Sequence, residues 1–186
     1  MTLDLQLRQL LLPKLGQEAS ECEDVIAVDA QRCRFAVADG ATEAFDARKW
    51  AERLAQQWVR RQSTLTSEEF RDWVAAEGRE LHESWNGLSL SWYSEAKART
   101  GSFAAFAGVE LDLKSELPSW KAIALGDTCL LHRRGDVLVS ELLRQAAGLP
   151  VCSELQPFVC GFADGAWRIP SPRQVARIIR GDRSSS

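Results

Sequence analysis

The chain has 186 residues, of which 45% are hydrophobic and 26% charged, and its formal net charge at pH 7 is -3. This length and composition are typical of a single globular domain with a buried core, here residues 1–186. The slightly acidic balance argues against a nucleic-acid binder, which needs a basic surface to collect phosphates. Because no apolar run approaches the ~18 residues that cross a bilayer, we expect no membrane partner either.

The cysteines indicate a reducing environment. They number five, which is odd, and none of them forms a Cys-x-x-Cys pair. This usage favours free thiols in a cytoplasm over a disulfide framework or a zinc site. The protein is therefore expected to be cytoplasmic, with its leucine-rich first 16 residues folding with the body.

An acidic segment that ends at Asp24 leads into two runs with strand character, residues 25–28 and 33–39. The short polar connection between them predicts an antiparallel hairpin. In such a hairpin the start of the first strand lies beside the end of the second, which would bring Glu23 and Asp24 close to Asp39. Three carboxylates at one sheet end repel each other unless a cation neutralises them, so the pattern favours a metal site. A solvated acidic loop is the alternative interpretation.

The second of these runs ends on Asp39-Gly40, just before a helical pattern begins. The Asp39 carboxylate and the Gly40 carbonyl are hard oxygen donors of the kind that magnesium and manganese prefer. Glycine also allows the main chain to turn sharply at this point. Asp-Gly after a strand is equally a common turn signal, so this pair alone leaves both interpretations open.

Two helices with one apolar face each are predicted next. Asp46 can cap a helix that runs to about residue 62, and Thr66 with Glu69 predicts a capping box for a second helix. Apolar residues recur at three- and four-residue spacing in both, which indicates packing on a sheet. These residues are Ala47, Trp50, Ala51, Leu54, Ala55 and Trp58 in the first helix, and Phe70, Trp73, Val74, Leu81 and Trp85 in the second.

Strands dominate the rest of the interpretable sequence, after a short helix near Trp92. One of them ends at Gly126-Asp127, which repeats the corner seen at Asp39 and predicts that Asp127 approaches the same metal site. Residues 129–132 are expected to resume that strand after the corner. The predicted strands cover residues 103–111, 120–125, 129–132 and 137–139.

The order of these motifs resembles that of the metal-dependent protein phosphatases of type 2C, and most closely their short bacterial branch. The resemblance covers roughly residues 10–140. It implies an α+β fold, a four-layer α-β-β-α sandwich of two antiparallel sheets flanked by helices, with two magnesium or manganese ions at one end. It also implies hydrolysis of phosphoserine or phosphothreonine in a phosphoprotein substrate. The motifs are Glu23-Asp24, ADGATE at 38–43, TGSF at 100–103 and LGDTCLLHRRG at 125–135.

The resemblance assigns a role to each of five residues. Asp39 is similar to the carboxylate that bridges both metals, and Gly40 to the residue that offers a carbonyl ligand. Glu23 resembles a direct or water-mediated ligand, and Asp24 the acid that orients metal-bound water. Asp127 is similar to the aspartate that helps hold an additional metal in many members. Asp39 and Asp24 are thus the expected catalytic residues.

Two features depart from the family pattern. The arginine that captures substrate phosphate is missing, and Lys14 is the nearest upstream cation. The C-terminal part is shorter than expected, so that only Asp164 can replace the further metal-binding aspartates. Shortening would expose sheet edges, which a predicted helix at residues 173–179 or a protein partner would cover.

The sequence therefore supports two functions of different classes. One is a metal-dependent serine/threonine phosphatase, favoured by the four acids Glu23, Asp24, Asp39 and Asp127. The other is a catalytically inactive, phosphatase-like module that binds a partner or a phosphopeptide. The reduced number of C-terminal acids favours this second function.

Overall fold

The computed structural model describes residues 5–13, 16, 18, 21–62, 65–116, 119–126, 128–134, 137–141 and 158–161. Within these ranges the chain is α+β, with a four-stranded antiparallel sheet, a three-stranded sheet and three helices. The predicted site residues Lys14, Asp127 and Asp164, and the predicted helix at 173–179, lie outside the described residues.

The four-stranded sheet has the order β1-β2-β3-β4, and neighbouring strands are antiparallel. The predicted hairpin is confirmed, since β1 and β2 are adjacent in the sequence and paired in the sheet. The strands are β1 at Asp24–Asp29, β2 at Arg34–Gly40, β3 at Ala104–Asp112 and β4 at Ser119–Leu125.

The first two helices pack their apolar faces on this sheet, and the third contributes Ala98 to the same core. The helices are α1 at Ala47–Arg60, α2 at Ser67–Glu83 and α3 at Trp92–Thr100. Every residue of the predicted apolar face of α1 is buried, which confirms the pattern that the spacing indicated. The main core joins side chains of α1 and α2 to one face of the sheet, and includes Ala36, Ala38, Trp50, Leu54, Trp58, Phe70, Trp73 and Phe106.

The N-terminus of α1 differs from the prediction. Asp46 occupies the N-cap position, but its backbone is left-handed (φ 56°) and its side chain makes no capping bond. The carboxylate instead accepts hydrogen bonds from Lys49 Nζ at 2.9 Å and Trp85 Nε1 at 3.2 Å. A side-chain cap normally requires an extended N-cap backbone. Thr66 has that backbone at the start of α2, where both bonds of the predicted capping box with Glu69 form.

Gly40 allows α1 to approach the sheet closely. A Cβ atom at this position would lie 2.7 Å from both the carbonyl carbon and the carbonyl oxygen of Ala47. The φ angle of Gly40 is not positive, so its role is close packing rather than the sharp turn that the sequence predicted. The start of α1 is thereby placed directly beside the end of β2.

The second sheet has the order β6-β5-β7. The expectation that residues 129–132 resume the preceding strand is wrong, because Gly126 has a φ of +86° and the chain leaves the first sheet there. Leu130 of β5 is buried in a second apolar cluster with Val109 and Trp120 of the first sheet. The strands of the second sheet are β5 at Cys129–Arg134, β6 at Val137–Glu141 and β7 at Phe158–Gly161.

The leucine-rich N-terminal stretch contributes little to either core. Residues 5–13 form no helix or strand, and the side chains of Leu10 and Leu12 are 73% and 83% exposed. The expectation that this stretch folds with the body is therefore wrong for the part that is described. Among the described helices, none combines the length and the apolar character that crossing a bilayer would demand.

Candidate functional site

The candidate site lies at the end of the β1–β2 hairpin, where Asp24 and Asp39 are direct partners in the antiparallel ladder. Directly opposite residues project to the same face, with Cβ atoms about 4.5–5.5 Å apart. In β2, Ala36 and Ala38 are buried against the helices. Phe35 and Asp39 occupy the alternate positions of the strand and so lie on its other face. The two carboxylates therefore face each other on the side of the sheet that points away from α1.

Glu23 does not add its carboxylate to this pair. Its backbone oxygen accepts a hydrogen bond from the Gly40 N–H at 3.3 Å, which extends the ladder by one residue. Its side-chain Oε2 accepts a hydrogen bond from Thr42 Oγ1 at 2.5 Å. Consecutive residues of an extended chain project to opposite faces, so Glu23 and Asp24 diverge. The predicted convergence of three carboxylates is thus reduced, in the described residues, to the pair Asp24 and Asp39.

Cys22 contributes a contact that the sequence analysis missed. Its thiol is buried and donates to Asp24 Oδ2 at a sulfur–oxygen distance of 3.6 Å. A cysteine two residues before an acid carries no sequence signal for such a bond. The contact helps to orient the Asp24 carboxylate without neutralising its charge.

Gly126, the first residue of the second Gly-Asp corner, follows the end of β4, two strands away from Asp39. A Cβ atom on Gly126 would lie 2.9 Å from the Cβ of Ala105, and Ala105 is the ladder partner of Asp39. Strands are spaced about 4.8 Å apart, so Gly126 lies about 10 Å from Asp39 across the sheet. The residue after Gly126 is Asp127, whose own position is outside the described part of the chain.

Thr128 fixes the chain just beyond this corner. Its side chain is buried, and Oγ1 lies 2.9 Å from the Phe106 oxygen and 3.3 Å from the Leu125 oxygen. Since a hydroxyl has one proton to donate, the shorter contact is the stronger candidate for the bond. These contacts hold Thr128 to the backbone of β3 and β4.

The loop between β2 and α1 is attached to the start of β3 and to α3. The Ala41 N–H donates to the Phe103 oxygen at 3.0 Å, and Lys97 Nζ lies 3.7 Å from Glu43 Oε2. Phe103 is exposed here, as are Trp92 and Tyr93 at the start of α3. The loop that follows Asp39 is therefore tied to the segment that leads from α3 into β3.

The described donors fit one hard divalent cation in part. Magnesium keeps several waters and is often held by only one or two carboxylates, which Asp24 and Asp39 can supply from one face. Two like charges directly opposite in a ladder destabilise it, and a cation between them would offset that cost. In the described ranges, no group of three or more His, Cys, Asp or Glu side chains is arranged to hold a metal ion. A second ion would need donors from elsewhere in the chain.

Comparison with known proteins identifies no family for this chain. No protein-family model, curated protein or solved structure matches the chain. The resemblance to type 2C phosphatases therefore rests on the ordered sequence motifs and stays a prediction.

Proposed function

We propose that the chain is a metal-dependent protein serine/threonine phosphatase with its site at the Asp24–Asp39 pair. The observation that carries this proposal is the ladder pairing of these two acids on the face away from the helices. Two like charges opposite each other in a ladder destabilise it, and a bound cation would offset that cost. The ordered motifs of the type 2C pattern give that pair its proposed chemistry.

The proposal includes the finer architecture, in which the second sheet covers the Asp39 face of the first to give two central sheets flanked by helices. The burial of Leu130 from β5 against Val109 and Trp120 supports this packing. Phe35, on the same face as Asp39, packs against the same cluster. The carboxylate pair would then lie at the open end of the space between the sheets.

The roles of the residues follow from their positions. A magnesium or manganese ion, when bound, supplies positive charge that offsets the phosphoryl oxygens and lowers the pKa of water. Asp39 would hold the cation from the rigid end of β2, and Gly40 keeps α1 close behind it. Asp24, oriented by the Cys22 thiol, would bind on the same side and accept a hydrogen bond from the attacking water. The proposed substrate is a phosphoprotein in the cytoplasm.

A specific contact favours the second candidate, a non-catalytic phosphatase-like module. The Glu23 carboxylate, the expected third donor, accepts a hydrogen bond from Thr42 at 2.5 Å and projects away from Asp24. If Glu23 keeps that contact in solution, the described part of the site offers two carboxylates. Such a site would bind metal weakly and would serve recognition rather than hydrolysis.

Hydrolysis of p-nitrophenyl phosphate with and without manganese tests the proposal. The wild type and Asp72→Asn, which removes an exposed acid on α2, are expected to show equal manganese-dependent rates. Asp39→Asn should lower the rate more than about 100-fold, since even groups that only support a metal ligand cost 10–100-fold. An Asp39→Asn variant with full activity would refute the assignment of this residue.

Calorimetric titration with manganese separates the two candidates. Binding that requires Asp39 and accompanies turnover supports the phosphatase. No binding at millimolar manganese, in a folded protein, would rule out the enzyme and leave the module.

A further inference from the structure

A cleft of about 510 Å³ lies at the opposite end of the sheet from Asp39. It is bounded by the β1–β2 turn, the C-terminal end of α1 and the β3–β4 hairpin. Arg34, at its base, is five residues before Asp39 on β2, or about 17 Å along the strand. The cleft is therefore separate from the acidic pair.

The lining of this cleft is cationic. Two acids, Glu110 and Asp112, line it together with five cationic side chains. Five minus two leaves a surplus of three positive charges, in a chain whose formal net charge is -3. The positive charge is thus concentrated locally. The five are Arg32, Arg34, Arg61, Lys114 and Lys121.

Two of the five cations already have an acidic partner. Arg32 pairs with Asp29 of the same turn. Arg34 is only 4% exposed, and it donates to Glu110 Oε2 at 3.1 Å and to the Arg61 backbone oxygen at 2.6 Å. Arg34 thus joins β2 to β3 and to the end of α1, whereas Arg32 is paired within its own turn.

Asp112, the other acid of the cleft, accepts its hydrogen bonds from the two residues of its own loop, Lys114 and Ser115. Its Oδ1 accepts hydrogen bonds from the backbone N–H groups of Lys114 and Ser115, both at 3.1 Å. The Ser115 hydroxyl donates to the other oxygen. These bonds lower the pKa of Asp112 below its usual value, and the bond from the Ser115 hydroxyl has the largest effect. The charge of Lys121 makes a smaller contribution in the same direction, so Asp112 stays ionised beside that lysine.

Arg61 combines partial burial with a donor that has no hydrogen-bond acceptor. Its guanidinium lies 5.4 Å from the centre of the Trp73 ring, and its Nε is buried without a hydrogen-bond acceptor. Burial and then the charge of Arg34 lower the pKa of Arg61, against a smaller opposing effect of Glu77 and Glu69. Within the described residues, Arg61, Lys114 and Lys121 form no salt bridge.

We propose that this cleft binds a phosphate-type oxyanion through Arg61, Lys114 and Lys121. A guanidinium presents a planar set of donors that matches phosphate oxygens, while the two ammonium groups act as mobile point charges at the rim. A bound anion would supply the acceptor that Arg61 Nε lacks. The volume accommodates a phosphate together with a small organic group, so free phosphate and phosphate monoesters share the chemistry required.

Titration with inorganic phosphate, followed by the ¹H–¹⁵N signals of the arginine Nε–H groups, tests this proposal. The experiment is run in EDTA at constant ionic strength, so that divalent metals play no part. The Arg61 signal is expected to shift and saturate, and Arg61→Gln should weaken binding about tenfold or more. Arg99→Gln, which removes an exposed arginine paired with Glu95 on α3, should leave the affinity unchanged.

Two further variants and two further ligands, phenyl phosphate and acetate, complete the test. Lys121→Gln should weaken phosphate binding about three- to tenfold, which is the contribution of one surface charge contact. Lys121 is exposed at the rim, so this substitution leaves the core intact. The result therefore stands even if Arg61→Gln disturbs the fold. Asp39→Asn should bind phosphate as the wild type does, and phenyl phosphate should bind in the same place. Any one of four results would overturn the proposal. They are an Arg61 shift that does not saturate, wild-type affinity in Arg61→Gln, loss of phosphate binding in Asp39→Asn, and acetate binding as tightly as phosphate.

Discussion

Asp24 and Asp39 are direct ladder partners at the end of the β1–β2 hairpin, on the face of the sheet away from α1. Like charges in this relationship lower the stability of a hairpin, whereas a cation that bridges them raises it. The stability of the protein should therefore depend on divalent metal through this pair, whether or not the protein is an enzyme.

Asp24→Asn tests the cost of that pairing. We expect the free energy of unfolding in EDTA to rise by about 0.2–1 kcal/mol, because the charge is removed while an oxygen acceptor for the Cys22 thiol remains. The stabilisation that manganese gives to the wild type should be lost. Urea unfolding followed by circular dichroism measures both, with Asp72→Asn as the control, and a variant less stable than wild type in EDTA would contradict the repulsion.

Gly40→Ala should be strongly destabilising. The new Cβ would lie 2.7 Å from the backbone of Ala47, and backbone atoms at the start of α1 cannot rotate away. We expect the free energy of unfolding to fall by about 1–3 kcal/mol, as for other overpacked sites. Urea unfolding gives the value, and metal-dependent stabilisation should weaken with it, since α1 supports the end of β2.

Gly78→Ala is the matched control for that substitution. Gly78 lies inside α2, and its added Cβ would meet only Trp50 Cη2 at 3.8 Å, an ordinary contact. Alanine is the better helix former, so stability should rise by about 0.5–1 kcal/mol. If both variants lost stability equally, the close approach at Gly40 would not be the cause.

The capping box of α2 predicts a pH dependence. The Thr66 backbone N–H, then the Thr66 side chain, lower the pKa of Glu69 from its usual 4.5. A carboxyl with a lowered folded-state pKa stabilises the fold above its unfolded value and loses that effect as pH falls through the folded value. Glu69→Gln should therefore be less stable than wild type near neutral pH, with a gap that shrinks as pH falls below 4.5. Thermal unfolding from pH 7 to pH 3 measures the gap, with Glu68→Gln as the control, and a constant gap would contradict the role of the charge.

Local periodicity accounts for the parts of the fold that the sequence predicted. The alternation of buried and half-buried residues along β2 specifies which face meets the helices, and hence the register that places Asp24 opposite Asp39. The same holds for α1, where side-chain spacing alone identifies the buried face. Both signals are set by residues that are close in the chain.

The features that the sequence did not predict depend on residues far apart in the chain. Thr42 draws the Glu23 carboxylate away from Asp24 across a separation of 19 residues. The assignment of β5 to a separate sheet depends on its pairing with β7, which is nearly 30 residues later in the chain. No periodicity reports such contacts. The sequence therefore predicts the pairing of Asp24 with Asp39 but not the position of the Glu23 carboxylate.

The sequence predicts that Asp46 caps α1 with its side chain, but the side chain bonds to the distant Trp85 instead. The last prediction concerns this contact. Its left-handed backbone places the carboxylate 3.2 Å from Trp85 Nε1, and Trp85 is buried against Phe45. Asparagine tolerates this backbone and keeps an acceptor, so Asp46→Asn should cost less than about 1 kcal/mol. Alanine loses the acceptor for a buried N–H and adopts the left-handed region unfavourably, so Asp46→Ala should cost about 2–4 kcal/mol. Urea unfolding gives both values, and equal losses for the two variants would show that neither the Trp85 bond nor the backbone conformation stabilises the start of α1.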